Sequence, residues 1–259
     1  MAFSKEKITQ IEDLLKSSII NKFENYNPET SYMPFHTGLL GKDRMALYSF
    51  IQSLNTNFGT SIFEPVAKVL AESNFKDVQL QVKAGNQISE DAQIIIDDII
   101  ESLRTATAKP NKIDEIEAIR KVCRQGRMKQ IKPTKVDLYL VGNNDEIYLC
   151  DIKTAKPNKG GFQEFKRTLL EWVAVTFAQN PNAKINTFIA IPYNPYFPQP
   201  YSRWTMAGML DLPQELKVAE EFWDFLGGKD SYEQLLGCFE RVGVELRPQI
   251  DEYFKKFNK

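Results

Sequence analysis

Two largely apolar runs, Val136–Val141 and Ile147–Ile152, flank five polar residues, Gly142-Asn143-Asn144-Asp145-Glu146. Short runs of β-branched and aromatic residues joined by Gly and Asn form a hairpin. Each run carries an acid: Asp137 near the start of the first, and Asp151 in the Asp151-Ile152-Lys153 that closes the second. Residues two apart on a strand share a face, so Asp151 and Lys153 point one way and Ile152 the other. Opposed residues of an antiparallel pair have a constant sum. A three- or five-residue loop centred on Asn144 therefore sets Asp137 against Asp151, whereas a two- or four-residue loop turns Asp137 to the other face unless a bulge intervenes. Two carboxylates and an ammonium meeting at one spot hold a divalent cation and activate a water, the chemistry of phosphodiester hydrolysis. The same residues also read as a strand-opening acid beside a solvated ion pair, and both readings stand at this point.

The remaining composition narrows the chemistry. A chain of 259 residues, 42% hydrophobic and 26% charged, buries a substantial core. Its net charge of -1 argues against a general polyanion binder, so any nucleic-acid contact rests on a local patch. A single histidine, His36, excludes histidine-based nucleases and histidine-rich zinc sites, leaving carboxylates and lysine to do any hydrolysis. Cys123, Cys150 and Cys238 have no metal-ligand spacing and fit three free thiols in a reducing cytoplasm. No stretch has the length and apolarity of a membrane span, and the first residues lack a signal-peptide core.

Along the chain, helical spacing predicts helices over residues 4–24, 42–57, 89–105, 114–124 and 162–178. Residues 25–40, rich in Asn, Pro and Tyr, read as loop; Gly59 breaks the second helix, and Ser61-Ile-Phe-Glu64 restarts one. Strands are expected over 77–84, over the hairpin, and over 184–193, the last apolar enough to be central. The order gives an α/β fold, a mixed central β-sheet flanked by helices, in one domain. Its helical N-terminal part spans about 1–75, its catalytic core about 60–195, and a C-terminal loop and helices about 196–259.

Further residues carry two readings each. Glu64 either adds a third carboxylate to the metal's oxygen shell or closes a capping box with Ser61. Arg120, Lys121, Arg124, Arg127, Lys129, Lys132 and Lys135 form an acid-free basic run leading to Asp137, fit for a phosphate backbone or merely solvated. Lys156, Lys159, Lys166 and Arg167 add positive charge on the other side. In the proline- and aromatic-rich loop 193–204, Asn194, Gln199 and Arg203 either reach base edges or leave the loop to pack on the surface.

Asp137 with Asp151-Ile152-Lys153, a helix before and a helix after, resembles the PD-(D/E)XK nucleases, with Val136 standing where the family usually has proline. Residues 33–67, MPFHTGLLGKDRMALYSFIQSLNTNFGTSIFEPVA, resemble the N-terminal block of TdeIII-type type II restriction endonucleases. The resemblance implies Mg2+-dependent cleavage of double-stranded DNA at a short palindrome, GGNCC, by a homodimer whose functional companion is a cognate DNA methyltransferase. It makes Asp137 and Asp151 the metal ligands. Lys153 then positions or helps deprotonate the attacking water and stabilises the pentavalent phosphate, and Glu64 is the helix acid near the metal. A repair or recombination nuclease of the same fold, and a DNA-binding protein without catalysis, are the alternatives.

Overall fold

The computed structural model describes residues 3–26, 32–153, 161–201 and 204–255. In chain order it contains α1 (Lys5–Asn25), α2 (Pro34–Leu40), α3 (Lys42–Phe58), a π-helical turn (Gly59–Phe63) and α4 (Glu64–Ala71). There follow β1 (Asp77–Lys83), β2 (Gln87–Ser89), α5 (Glu90–Arg104), α6 (Lys112–Val122), β3 (Met128–Gln130), β4 (Lys135–Val141) and β5 (Glu146–Ile152). After these come α7 (Phe162–Gln179), β6 (Lys184–Ile191), α8 (Trp204–Ala207), α9 (Leu212–Glu215), β7 (Leu216–Val218), α10 (Glu220–Gly227) and α11 (Ser231–Lys255). The chain divides into two compact units, Met1–Val69 with Asp230–Lys259, and Leu70–Lys229.

The first unit is helical. Ser4 caps α1 by accepting the Lys7 N–H, and Ile11 and Leu15, four residues apart, are its buried stripe. Leu235, Cys238, Val242 and Leu246 form the matching stripe of α11. Glu12 with Arg241 (2.6 Å) and Lys16 with Glu245 (2.7 Å) flank this packing, and Phe23, Phe50 and Tyr253 stack beside it. Two sequence expectations fail here. Residues 34–40 are helix rather than loop, because Pro34 is tolerated in the first turn and Gly41, at φ 85°, ends it. Gly59 ends α3 as expected, but no new helix starts at Ser61. The turn widens, with the Glu64 N–H reaching the Gly59 carbonyl, and the path continues into α4. Ser61 thus lies inside a turn and not at a free helix start, which removes the geometry of a capping box.

The second unit is the α/β core expected from the sequence. Its five-stranded sheet has the order β1-β4-β5-β6-β7. β1, β4 and β5 pair antiparallel, while β6 and β7 continue parallel to β5. The parallel step follows from the β5–α7–β6 crossover, since a helix between two strands returns the chain to the same end of the sheet. β2 and β3 make a separate two-stranded ribbon. One face of the sheet lies under α5, α6 and α7, whose Ile96, Ile100, Ile119, Leu169, Trp172 and Val173 pack with Leu149, Ile185 and Ile189. On the other face Phe75, Tyr148, Phe188 and Phe225 meet edge to face. β6 is thus covered on both sides, which accounts for its nearly continuous apolar sequence. β7, only three residues long, escaped prediction because so short a run shows no alternation.

Candidate active site

The hairpin register is the one that favours the acids. Tyr139 pairs with Leu149 and Val141 with Ile147, and the same sum carried on sets Asp137 opposite Asp151. The Gly142 N–H also reaches the Glu146 carbonyl at 2.8 Å, leaving a three-residue loop, Asn143–Asp145, in which Asp145 takes φ 62°. Asn144 is its centre.

The Asp137 carboxylate is held at both oxygens. Oδ2 accepts the backbone N–H of Ile152 at 2.9 Å, and Oδ1 accepts the side-chain amide of Gln81 at 3.0 Å. Asp151 is 8% exposed, and its Oδ1 lies 2.7 Å from the Lys153 Nζ. Burial pushes the Asp151 carboxyl up to about 7; the Lys153 ammonium pulls it down, while the Asp137 charge and a hydrogen bond with Asp137 push it further up. Each carboxyl thus senses the other across the strand pair, and near neutrality Asp151 takes up a proton. Lys153 is anchored as well. Its backbone N–H continues the sheet ladder to the Ala190 carbonyl at 2.9 Å, and its ammonium stands 5.0 Å from the centre of the Phe165 ring on α7.

Two oxygen donors this close suit a hard cation. Among the described residues no group of three or more potential metal-binding side chains forms. A pair of carboxylates is nonetheless what Mg2+ asks of a protein, since it keeps several waters and takes further oxygens from substrate phosphate. A cation there would replace the proton that the dyad otherwise holds. Glu64 opens α4 and is buried.

The basic residues divide by environment. The Arg120 guanidinium bonds the carbonyls of Pro181 and Ala183 and lies 4.1 Å from the centre of the Phe177 ring. Arg124 donates to the Gln179 carbonyl at 3.0 Å, so both arginines tie α6 to the end of α7. Arg127 is exposed, and Lys129 pairs with Glu90 at 2.9 Å. Asn194 braces its own loop, donating to the Gln199 carbonyl and accepting the Tyr196 N–H. Lys156 and Arg203, with Lys159, lie outside the described residues.

Lys166 corrects an expectation. Read as surface charge near the site, it is fully buried: Nζ bonds Glu115, and it reaches Glu215 at 2.6 Å. The other oxygen of Glu215 binds Lys112 at 2.9 Å, and Lys112 also donates to Thr187 at 2.6 Å. The spacing already allowed this, because Lys166 falls between Phe162 and Leu169 on the apolar stripe of α7. Burial of an ammonium is tolerable only with such partners. Gln81 and Phe165 were missed as neighbours of the site, one hidden within a predicted strand and the other counted as core.

Fold and site together define a nuclease core of the restriction-endonuclease-like kind. The chain belongs to the HinfI family of type II restriction endonucleases, whose model matches residues 4–243. It is similar to the type II restriction enzyme HgiCII of Herpetosiphon aurantiacus, 25% identical over 84% of this chain and 80% of that protein. It is also similar to MjaII of Methanocaldococcus jannaschii, 26% identical over 100% of this chain and 75% of that one. HgiEI of Herpetosiphon aurantiacus is 26% identical over 85% and 80%. The protein is a type II restriction endonuclease, as the resemblance implied, and membership carries with it DNA binding and the use of a divalent metal. No helix among the described residues is long and apolar enough to cross a membrane.

Proposed function

We propose that Asp137, Asp151 and Lys153 are the catalytic residues of a Mg2+-dependent endonuclease that cuts double-stranded DNA at a short palindrome in restriction-modification defence in the cytoplasm. The target is GGNCC, the site implied by the TdeIII-type resemblance of residues 33–67. The observation that carries the assignment is the register that sets Asp137 opposite Asp151 on neighbouring strands, with the Lys153 ammonium 2.7 Å from the second acid. Asp137 and Asp151 would hold the metal, which supplies Lewis-acid polarisation of the scissile phosphate when bound. Lys153 hydrogen-bonds the attacking water and stabilises the charge that develops on the pentavalent phosphorus. Phe165 limits where its ammonium can go. Glu64 is the additional acid that the family resemblance implies for this chemistry.

Phosphate contacts come from the basic run through Arg127 and Lys129, and from Lys156, while Arg203 reaches base edges. Arg120 and Arg124 contribute positive charge to the same run while tying α6 to the end of α7, and Asn194 reaches base edges from the loop it braces. The enzyme works as a homodimer, one site for each strand of a two-fold target, with a cognate DNA methyltransferase as its companion in the cell. Seven large apolar side chains between Tyr32 and Ile51 support association, because they are 41–85% exposed. At about 150–250 Å² for each aromatic side chain and somewhat less for each aliphatic one, their exposed area reaches several hundred Å², the scale of the roughly 800 Å² per partner of a stable interface.

The deciding experiment incubates purified protein with long DNA, with Mg2+ or with chelator, and sequences the ends. Discrete fragments ending at one palindrome, only with Mg2+, are expected. Smears, structure-dependent cutting or cutting in chelator would overturn the proposal.

A further inference from the structure

Gln81 lies on β1, where the pairing Leu80↔Leu138 and Val82↔Val136 brackets a position directly opposite Asp137. Its backbone takes φ 55°, a left-handed conformation costly for any residue but glycine and uncommon for one with a long side chain. The other non-glycine residues with positive φ among those described are Ala106, Asp145, Ala219 and Asp230, all beside helix ends or in turns. Gln81 alone of these sits within a strand. From that position its side-chain amide donates to the Asp137 Oδ1 at 3.0 Å.

We infer that Gln81 is a positioning residue for DNA cleavage: its amide and the Ile152 N–H clamp the two oxygens of Asp137, fixing the plane of the carboxylate that faces Asp151. This inference rests on the assignment of Asp137 to the metal site. The physical reason is geometric. A carboxylate on a short side chain rotates about its last bond, and a cation needs oxygens in set directions. One donor restrains one oxygen, and a donor on each oxygen fixes the plane. Glycine would adopt the same backbone without strain but would bring no amide to Asp137.

The test compares Gln81→Gly and Gln81→Asn with the parent as full-length proteins. Glycine relieves the strain and asparagine tolerates it, but neither reaches Asp137 with an amide. Three quantities are read: the melting temperature without metal, Mn2+ affinity by titration with detection of free Mn2+, and the Mg2+ concentration giving half-maximal cleavage. Gln81→Gly should melt at or above the parent's temperature. Both variants should bind Mn2+ about 10- to 100-fold more weakly, with a matching rise in the Mg2+ needed. Parental Mn2+ affinity in both variants, or activity lost only in step with melting temperature, would overturn the inference. Asp137→Asn separates the two levels. If it cleaves like the parent, the site assignment falls and this inference with it. If it is inactive while both Gln81 variants bind Mn2+ normally, only the role of Gln81 falls.

Discussion

The Asp137 carboxylate accepts the backbone N–H of Ile152 at 2.9 Å, so the acid of β4 is bonded into the very segment of β5 that carries Asp151 and Lys153. The site is thereby assembled by sheet hydrogen bonding, with Lys153 fixed on its far side by the Ala190 carbonyl. Two strand connections, the hairpin and the β5–α7–β6 crossover, bring every group to one end of the sheet.

Asp137→Asn and Asp151→Asn should each lower cleavage by on the order of 10³-fold or more, because each removes charge where a cation must be held. Asparagine keeps an oxygen to accept hydrogen bonds and fits the same volume. The circular dichroism spectrum should therefore match the parent's, and a plasmid cleavage time course checks activity. Parental rates in either variant would remove that acid from the site.

The raised Asp151 carboxyl makes a prediction about pH. Its folded value, about 7, lies above the ordinary aspartate value of 3.8. Between the two, the folded protein binds more protons than the unfolded chain. The group's contribution to stability is therefore fully present below pH 4 and is lost as pH rises through 7. Metal-free Asp151→Asn should be more stable than the parent at pH 8, by on the order of 1 to 3 kcal/mol, with the advantage shrinking towards pH 5. Urea titrations at the two pH values measure it. Metal competes with this proton, so Mn2+ affinity of the parent should climb until pH passes about 7 and then level off.

Glu215 bridges two buried ammonium groups, and Glu215→Ala would leave both short of a partner. The loss should be about 3–5 kcal/mol, read as a lower denaturation midpoint. Burial alone would raise this carboxyl, but Lys112 and Lys166 outweigh it and hold it below the usual glutamate range. Its contribution is accordingly present above the unfolded value and lost only as pH falls through the lowered folded one. A denaturation midpoint unchanged at neutral pH would contradict the role of this network.

Leu39 is 85% exposed on α2, a helix with no buried residue. Leu39→Asp should change monomer stability by less than about 0.5 kcal/mol, since nothing beneath it is lost. If this face joins two copies, the variant should sediment as a smaller species and lose double-strand cutting more than nicking. Sedimentation velocity over a range of concentrations decides it.

Much of this was legible along the chain. The hairpin and the shared face of Asp151 and Lys153 follow from the period of a strand and from the turn residues around Asn144, which are local properties, whereas the odd loop that brings Asp137 to that face was one of two registers the sequence allowed. The same holds for α5, whose cap at Ser89 and stripe of Ala92, Ile96 and Ile100 repeat at helical spacing. Other features were not local. Gln81 reads like any polar residue of an edge strand until β4 is beside it, because a positive φ opposite Asp137 is set by pairing and not by neighbours in sequence. Lys166 reads as surface charge until Glu115 and Glu215, from two distant helices, are seen to neutralise it.

By itself the sequence determined most of the long elements, the shared face of Asp151 and Lys153, and the chemical types available there, because those depend on periods of two and about 3.6 residues. Tertiary structure alone decided that the two acids stand opposite each other, that Asp151 is dry enough to hold its proton to about pH 7, and that Gln81 and Ile152 grip Asp137. Burial, dielectric environment and hydrogen-bond direction belong to the folded arrangement of segments far apart in the chain.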